Sequence, residues 1–452
     1  MTTNGPSPAP AAPPPAPDAA ELLRSPAYLM LLVFGALIGA PVAAVAYGFL
    51  KGVGEVQEYV FTTLPTDLGF DAQPSWWSIG PLALSGLLVA LTIRFLPGSA
   101  GHKPAEGFKT GGPVPPIELP GIFLASFATL SLGVVLGPEA PLIAIGSGMG
   151  VLAVHLIKRD APEQASVVVG AAGSFAAIAT LLGSPLTGAF LLMETGGIGG
   201  AMMGVVLMPG LLAAGVGSLI FVGLDSWTGF GTFSVAVSGL PPVGSPTGSQ
   251  FLWALAIGVL AALVGGAITR LARGLQPIIE RRMVLLMPLV GAAIGVATFV
   301  FVEATGRSSA NVLFSGQAQL GPLINGAAGW TVGALGLLVV CKALAYAAAL
   351  TSFRGGPVFP GMFIGAAGGL ALSHLPGLPM IAGVAMGIGA MIVAMLRLPL
   401  VSVLLPVLFL AADGLALTPL IIVAVVVAFV ASARLDVAWP LPDTAPTPVS
   451  TG

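Results

Sequence analysis

The chain has 452 residues, 56% hydrophobic and only 8% charged, with a formal net charge of −2 and a mean hydropathy of +1.01. So few charges cannot cover a soluble protein of this length, and without a basic block nucleic acid is excluded as a partner. A single cysteine, Cys341, excludes an internal disulfide or a cysteine metal cluster; His102, His155 and His374 are too scattered for a metal site, and no cofactor is expected.

In chain order, residues 1–24 are low-complexity Pro, Ala, Ser and Thr, and read as a disordered tail. A cleavable signal would be basic and then apolar, which this segment is not. Apolar segments follow at 27–50, 78–96, 117–136, 142–157, 167–182, 185–222, 251–272, 284–303, 331–350, 357–372, 379–396, 399–412 and 416–433. They predict an all-α, polytopic membrane protein; an outer-membrane barrel would show short alternating strands instead. Several segments fall short of the ~20 residues an upright spanning helix needs. Broken by Gly and Pro, they fit half-helices whose freed backbone lines a cavity or is buried in protein. The 63 glycines allow close helix approach, as at Gly146/Gly150. Residues 223–250 are rich in Gly, Pro, Ser and Thr and read as a polar joint between a first membrane half, 25–222, and a second, 251–433. The polar stretch 434–452 has no room for a soluble regulatory domain.

One motif occurs twice. Gly137-Pro138-Glu139-Ala140-Pro141 continues to Ile145-Gly146 and Gly150, and Gly356-Pro357-Val358-Phe359-Pro360 continues to Ile364-Gly365 and Gly369. Both copies read G-P-x-x-P-x-x-x-I-G-x-x-x-G, 219 residues apart. A weaker repeat pairs Ala176 to Leu186 with Ala390 to Leu400, five of eleven positions identical at an offset of 214. Paired Gly/Pro-rich segments suggest broken helices meeting near the midplane, in halves that are commonly inverted.

Only the first copy carries a charge, Glu139, and a lone carboxylate at membrane depth is costly unless it meets water, a partner or a proton. It opens the apolar run to Ile157, whose N-terminal N–H groups attract negative charge. The carboxylate and a mobile anion then compete for that helix end, and protonation or a swing of Glu139 vacates it. The alternative is a structural capping carboxylate. The second copy offers backbone N–H groups and Phe359, so two facing helix starts make a site for a partly dehydrated anion; the alternative is a pair of packing kinks.

Other polar residues leave more open. Glu194, followed by Thr195, reads equally as a proton relay or an interfacial residue. Lys342 and Arg354 either raise the anion potential of a vestibule or snorkel to the interface. Glu303, Arg397 and Asp413 near segment ends read as interfacial. An intramembrane hydrolase built on Ser147 needs a base in reach, and no histidine has a matching position, so no enzyme is expected.

These residues resemble the CLC family of chloride channels and proton-coupled chloride exchangers, over about residues 28–433. Gly137-Pro138-Glu139-Ala140-Pro141 is similar to the family's G-[KR]-E-G-P signature, which carries its gating glutamate. Gly356 to Pro360 is similar to G-x-F-x-P, with Phe one position late and Val358 in the usual Phe place. Ala100-Gly101-His102-Lys103-Pro104 faintly resembles G-S-G-I-P. The resemblance implies a multi-pass protein of the bacterial plasma membrane, a homodimer with one anion path per subunit. It implies Glu139 as gate and proton acceptor, with the anion held by Gly101, by Gly137, Pro138, Ala140 and Pro141, and by Gly356, Pro357, Val358, Phe359 and Pro360. Gly101 replaces the family's anion-coordinating serine, and the family's C-terminal tyrosine ligand has no counterpart after Tyr346. Thr195, beside Glu194, stands where many exchangers carry an internal glutamate. That departure points to a glutamate-gated chloride channel, with a proton-coupled chloride antiporter as the alternative. The implied partners are chloride or another small anion, protons and the lipid bilayer.

Overall fold

The computed structural model describes residues 23–108, 112–196, 202–228, 237, 244–410 and 412–440. Residues 1–22 of the predicted tail 1–24, residues 441–452 and half of the polar joint lie outside the described residues. Among the described residues fifteen α-helices have nine residues or more: α1 Pro26–Glu58, α2 Ile79–Phe95, α3 Leu119–Ser131, α4 Glu139–Ile157, α5 Glu163–Leu182, α6 Pro185–Gly196, α7 Met202–Thr228, α8 Gly248–Arg281, α9 Met283–Thr305, α10 Gln317–Asn325, α11 Val332–Ser352, α12 Val358–Leu372, α13 Met380–Leu396, α14 Pro399–Phe409 and α15 Ala412–Ala438. Among the described residues eight helices are long and apolar enough to cross a membrane, and five apolar ones are shorter. The protein is an integral, multi-pass membrane protein.

Helix ends follow local chemistry. Ser25 caps α1, its hydroxyl accepting the Tyr28 N–H at 3.2 Å ahead of Pro26. Gly183 closes α5 and Gly306 closes α9 in left-handed conformation. The apolar stretch 185–222 is divided between α6 and α7, and α7 runs past position 222 to Thr228. Within the joint, Val237 is buried and donates its N–H to the Phe409 carbonyl at 2.9 Å. The last helix likewise passes position 433 and reaches Ala438.

The duplication seen in the motif extends to the packing. α4 lies against α5 as α12 lies against α13, and α7 contacts α1 and α5 as α15 contacts α8 and α13. A Cβ on Gly146 would sit 2.7 Å from the Gly173 carbonyl carbon, and one on Gly365 would sit 2.7 Å from that of Gly387. These contacts repeat at the two sequence offsets, so each half closes its motif helix by the same glycine-to-glycine approach.

The relation between halves shows at α2 and α9, which pack together. Gly86 approaches the backbone of Met287 while Gly291 approaches that of Leu82, and Gly295 approaches Ile79. Rising numbers on α2 meet falling numbers on α9, so these equivalent helices run antiparallel and cross-contact reciprocally, as about a two-fold axis. Equivalent helices running oppositely are what inverted halves require.

The core lies where the halves meet. α13 is buried on nearly every face, as are α5 and α12, which is how a helix apolar all round is accommodated. Large side chains such as Leu219, Leu252 and Leu289 stay exposed outside, where lipid would cover them.

Snorkelling of Lys342 is corrected by the structure. The side chain is fully buried on α11, its ammonium donating to the carbonyls of Asn311, Val312, Leu313 and Phe314 at 3.1, 3.0, 3.0 and 3.4 Å and lying 4.5 Å from the Phe363 ring centre. The carbonyls converge because the chain ends a 3-10 turn there and reverses at Phe314, φ 58°. Lys342→Met should strip these acceptors of their donor and cost about 2–3 kcal/mol. Thermal unfolding in detergent checks this: a native melting temperature would mean that the ammonium is dispensable.

Candidate functional site

The two motifs meet backbone to backbone. Gly137 and Gly356 form an isolated antiparallel bridge, Gly137 donating to Gly356 at 2.7 Å and Gly356 to Gly137 at 2.6 Å. From this bridge α4 and α12 each set off after a proline N-cap, Pro138 or Pro357, that offers no capping side chain. The third residue of each helix is also proline, Pro141 and Pro360, so each first turn presents few N–H groups and concentrates them near the bridge. The N–H groups of Ala140 and Val358 have no hydrogen-bond acceptor among the described residues. Two positive helix ends thus face one small region.

Glu139, the first residue of α4, sits in that region and is fully buried. Its Oε1 accepts the Phe359 N–H at 2.9 Å, so a carboxylate from one half caps the helix of the other. Its Oε2 is buried without a partner. Val358, Phe359 and Pro360 are buried beside it. Tyr346 on α11 reaches the same place, its hydroxyl donating to the Pro357 carbonyl at 2.8 Å. The sequence names Tyr346 only as the last tyrosine and gives it no role at the site, because ten intervening residues hide a contact made through the turn between two helices.

Ala140 and Pro141 line a cavity of about 660 Å³ together with Gly101, Gly355 and Arg354. Gly101 lies in a loop with φ +100°, preceded by Ala100 at φ 55°, a region that non-glycine residues seldom occupy. Snorkelling of Arg354 is corrected as well: it is 3% exposed, with its guanidinium turned inward onto backbone carbonyls.

Glu194 and Thr195 lie elsewhere, at the end of α6. Both Glu194 oxygens accept helix-end amides of α14, from Leu400 and Val401 at 2.8 Å each. The Thr195 hydroxyl donates back to Leu191 of its own helix at 2.7 Å. Arg397 pairs with Asp436 at 2.7 Å, Glu303 is exposed, and the Asp413 side chain lies outside the described residues. Ser147 Oγ accepts the Val114 N–H at 3.3 Å. His102 and His374 bond to backbone carbonyls and His155 is exposed.

Residues 82–433 match the family model described as voltage gated chloride channel. The chain is 30% identical over 363 residues to YfeO of Salmonella typhimurium, covering 79% of this chain and 84% of that one. To YfeO of Escherichia coli O139:H28 it is 28% identical over 365 residues, covering 79% and 82%. Both relatives are named only provisionally, for ion transport. Its fold is similar to the crystal structure of a slow cyanobacterial Cl−/H+ antiporter, at TM-score 0.73 and 19% identity across 90% of this chain and 94% of that one. It is also similar to a CLC-type fluoride/proton antiporter, at TM-score 0.62 and 20% identity across 90% and 96%.

Proposed function

The chain belongs to the voltage-gated chloride channel family, and we propose that it conducts chloride passively, with Glu139 as the gate. One observation carries this reading: a fully buried carboxylate stands between two helix N-termini and caps the opposite one. Helix ends with unengaged amides replace part of an anion's hydration, weakly enough for release. In this seat Glu139 occupies the anion's place. Gly101, Gly137, Pro138, Ala140 and Pro141, with Gly356, Pro357, Val358, Phe359 and Pro360, surround the ion mainly through backbone. Tyr346 steadies the second motif through Pro357. We further propose a homodimer with one path per subunit.

Glu194 enters this reading as a cap on α14 rather than a proton carrier, since both oxygens are engaged. Glu194→Gln should lower stability by about 1 kcal/mol and leave the pH profile of flux unchanged; a shifted profile would restore Glu194 to a proton path.

Proton-coupled anion exchange is the second reading, favoured by the unpartnered, buried Glu139 Oε2, which a proton would satisfy. The antiporters of similar fold move chloride or fluoride against protons. Reconstituted vesicles separate the two readings. Passive conduction predicts that an imposed chloride gradient drives no uphill proton movement; uphill movement makes the protein an exchanger. No flux of chloride, fluoride or nitrate would remove both.

A further inference from the structure

We infer that Arg354 is an anion-binding residue of the vestibule, supplying the fixed positive charge that draws small monovalent anions toward the paired helix ends. The inference rests on the anion-transport reading above and adds a ligand residue outside the repeated motif.

Arg354 lines the same cavity as Gly101, Ala140, Pro141 and Gly355, and it is 3% exposed. Its Nε and Nη2 donate to the Ser99 carbonyl at 3.0 and 2.9 Å, and its Nη1 donates to the Ser352 and Phe353 carbonyls at 2.7 and 3.3 Å. All these acceptors are neutral. A guanidinium has five N–H donors, so one on Nη2 stays available to the cavity. Among the described residues no carboxylate stands within ion-pair distance of Arg354: Glu280 and Glu106 act on it electrostatically from farther away, and both pair with Lys103. Neutral carbonyls satisfy the donors but leave the charge. A charge so enclosed faces a water-filled path or an ion, and an anion in the cavity adds at contact distance the counter-charge that Glu106 and Glu280 supply only from afar.

The same contacts give Arg354 a second effect. It comes from the second half, yet its fork grips Ser99, whose neighbours Gly98, Ala100 and Gly101 all have positive φ. The clamp holds the loop that carries Gly101 against the cavity. Charge and clamp must therefore be separated by experiment. Glu118, half-buried, is the other charged side chain lining the cavity, and its charge opposes that of Arg354.

The test is chloride uptake into vesicles against chloride concentration for the native chain, Arg354→Met, Arg354→Lys and Glu118→Gln, with melting temperatures of each. Arg354→Met should raise KM about tenfold, Arg354→Lys should keep KM within about threefold of native because it retains the charge, and Glu118→Gln should lower KM. A purely structural clamp predicts the opposite split: both arginine variants lose rate or yield alike, and Glu118→Gln changes nothing. If Arg354→Met does not fold, the lysine and Glu118 variants still decide, since unchanged KM in Glu118→Gln with no retention by lysine overturns the inference. Flux in the native chain with unaltered KM in a folded Arg354→Met removes Arg354 alone; no flux in the native chain removes the transport reading with it.

Discussion

Vesicles carrying Glu139→Gln are expected to pass chloride at a rate that no longer depends on pH, about tenfold above the native rate on the alkaline side, where the native carboxyl is fully ionised. The carboxylate holds its seat by a charge-assisted hydrogen bond from the Phe359 N–H, 2.9 Å long, and by the positive ends of α4 and α12. A chloride ion seeks the same amides and must displace a full negative charge to reach them. As pH falls through the range in which this carboxyl takes up a proton, that charge disappears and the bond to Phe359 loses its ionic part. The anion then competes better, so native flux rises toward acid and falls toward alkali. Glutamine is the permanently neutral form and should hold the acid plateau at every pH. A neutral bond is weaker than a charged one by about 1.5 kcal/mol, which is about tenfold in occupancy. Under the exchange reading, proton coupling is lost as well. A Glu139→Gln variant that keeps the native pH response would place the gate elsewhere.

How much of this was legible beforehand depends on the range of the signal. The motif pair was readable because Gly and Pro restrict backbone locally, and the same pattern twice makes composition an inadequate explanation. The weaker repeat, Ala176 to Leu186 against Ala390 to Leu400, spans the α5–α6 and α13–α14 connections. α10, from Gln317 to Asn325, was missed, since its apolar residues Leu320, Leu323 and Ile324 mark only one helical turn and Pro322 lies among them. The burial of Lys342 and Arg354 was also out of reach. Their partners are carbonyls of residues 311–314 and of Ser99, and every residue has a carbonyl, so side-chain identity gives no hint of which ones converge. Tyr346 belongs with them, because its acceptor is again backbone. Charged side chains satisfied by backbone alone are the blind spot of sequence reading in a membrane protein.

Gly356→Ala should reproduce much of the Glu139→Gln behaviour without altering the carboxylate. A Cβ at Gly356 would collide with Glu139 Oε2 and lie 2.8 Å from its Cδ and 3.1 Å from the Ala140 nitrogen. Gly356 does not have positive φ, so alanine brings no backbone strain of its own. The backbone cannot easily retreat, because Gly356 exchanges hydrogen bonds of 2.7 and 2.6 Å with Gly137. The carboxyl end of Glu139 is the flexible partner and should be expelled from its seat, leaving flux high and nearly insensitive to pH. The two changes then act on one contact and should be strongly non-additive: in a Glu139→Ala background, where the side chain is already gone, Gly356→Ala should change flux less than about twofold. Flux against pH in the two single variants and the double variant checks this. A native pH response in Gly356→Ala would mean that the carboxylate does not rest against the bridge in the working protein. Loss of flux in both backgrounds would mean that the backbone yields instead, and that the Gly137–Gly356 bridge itself builds the path.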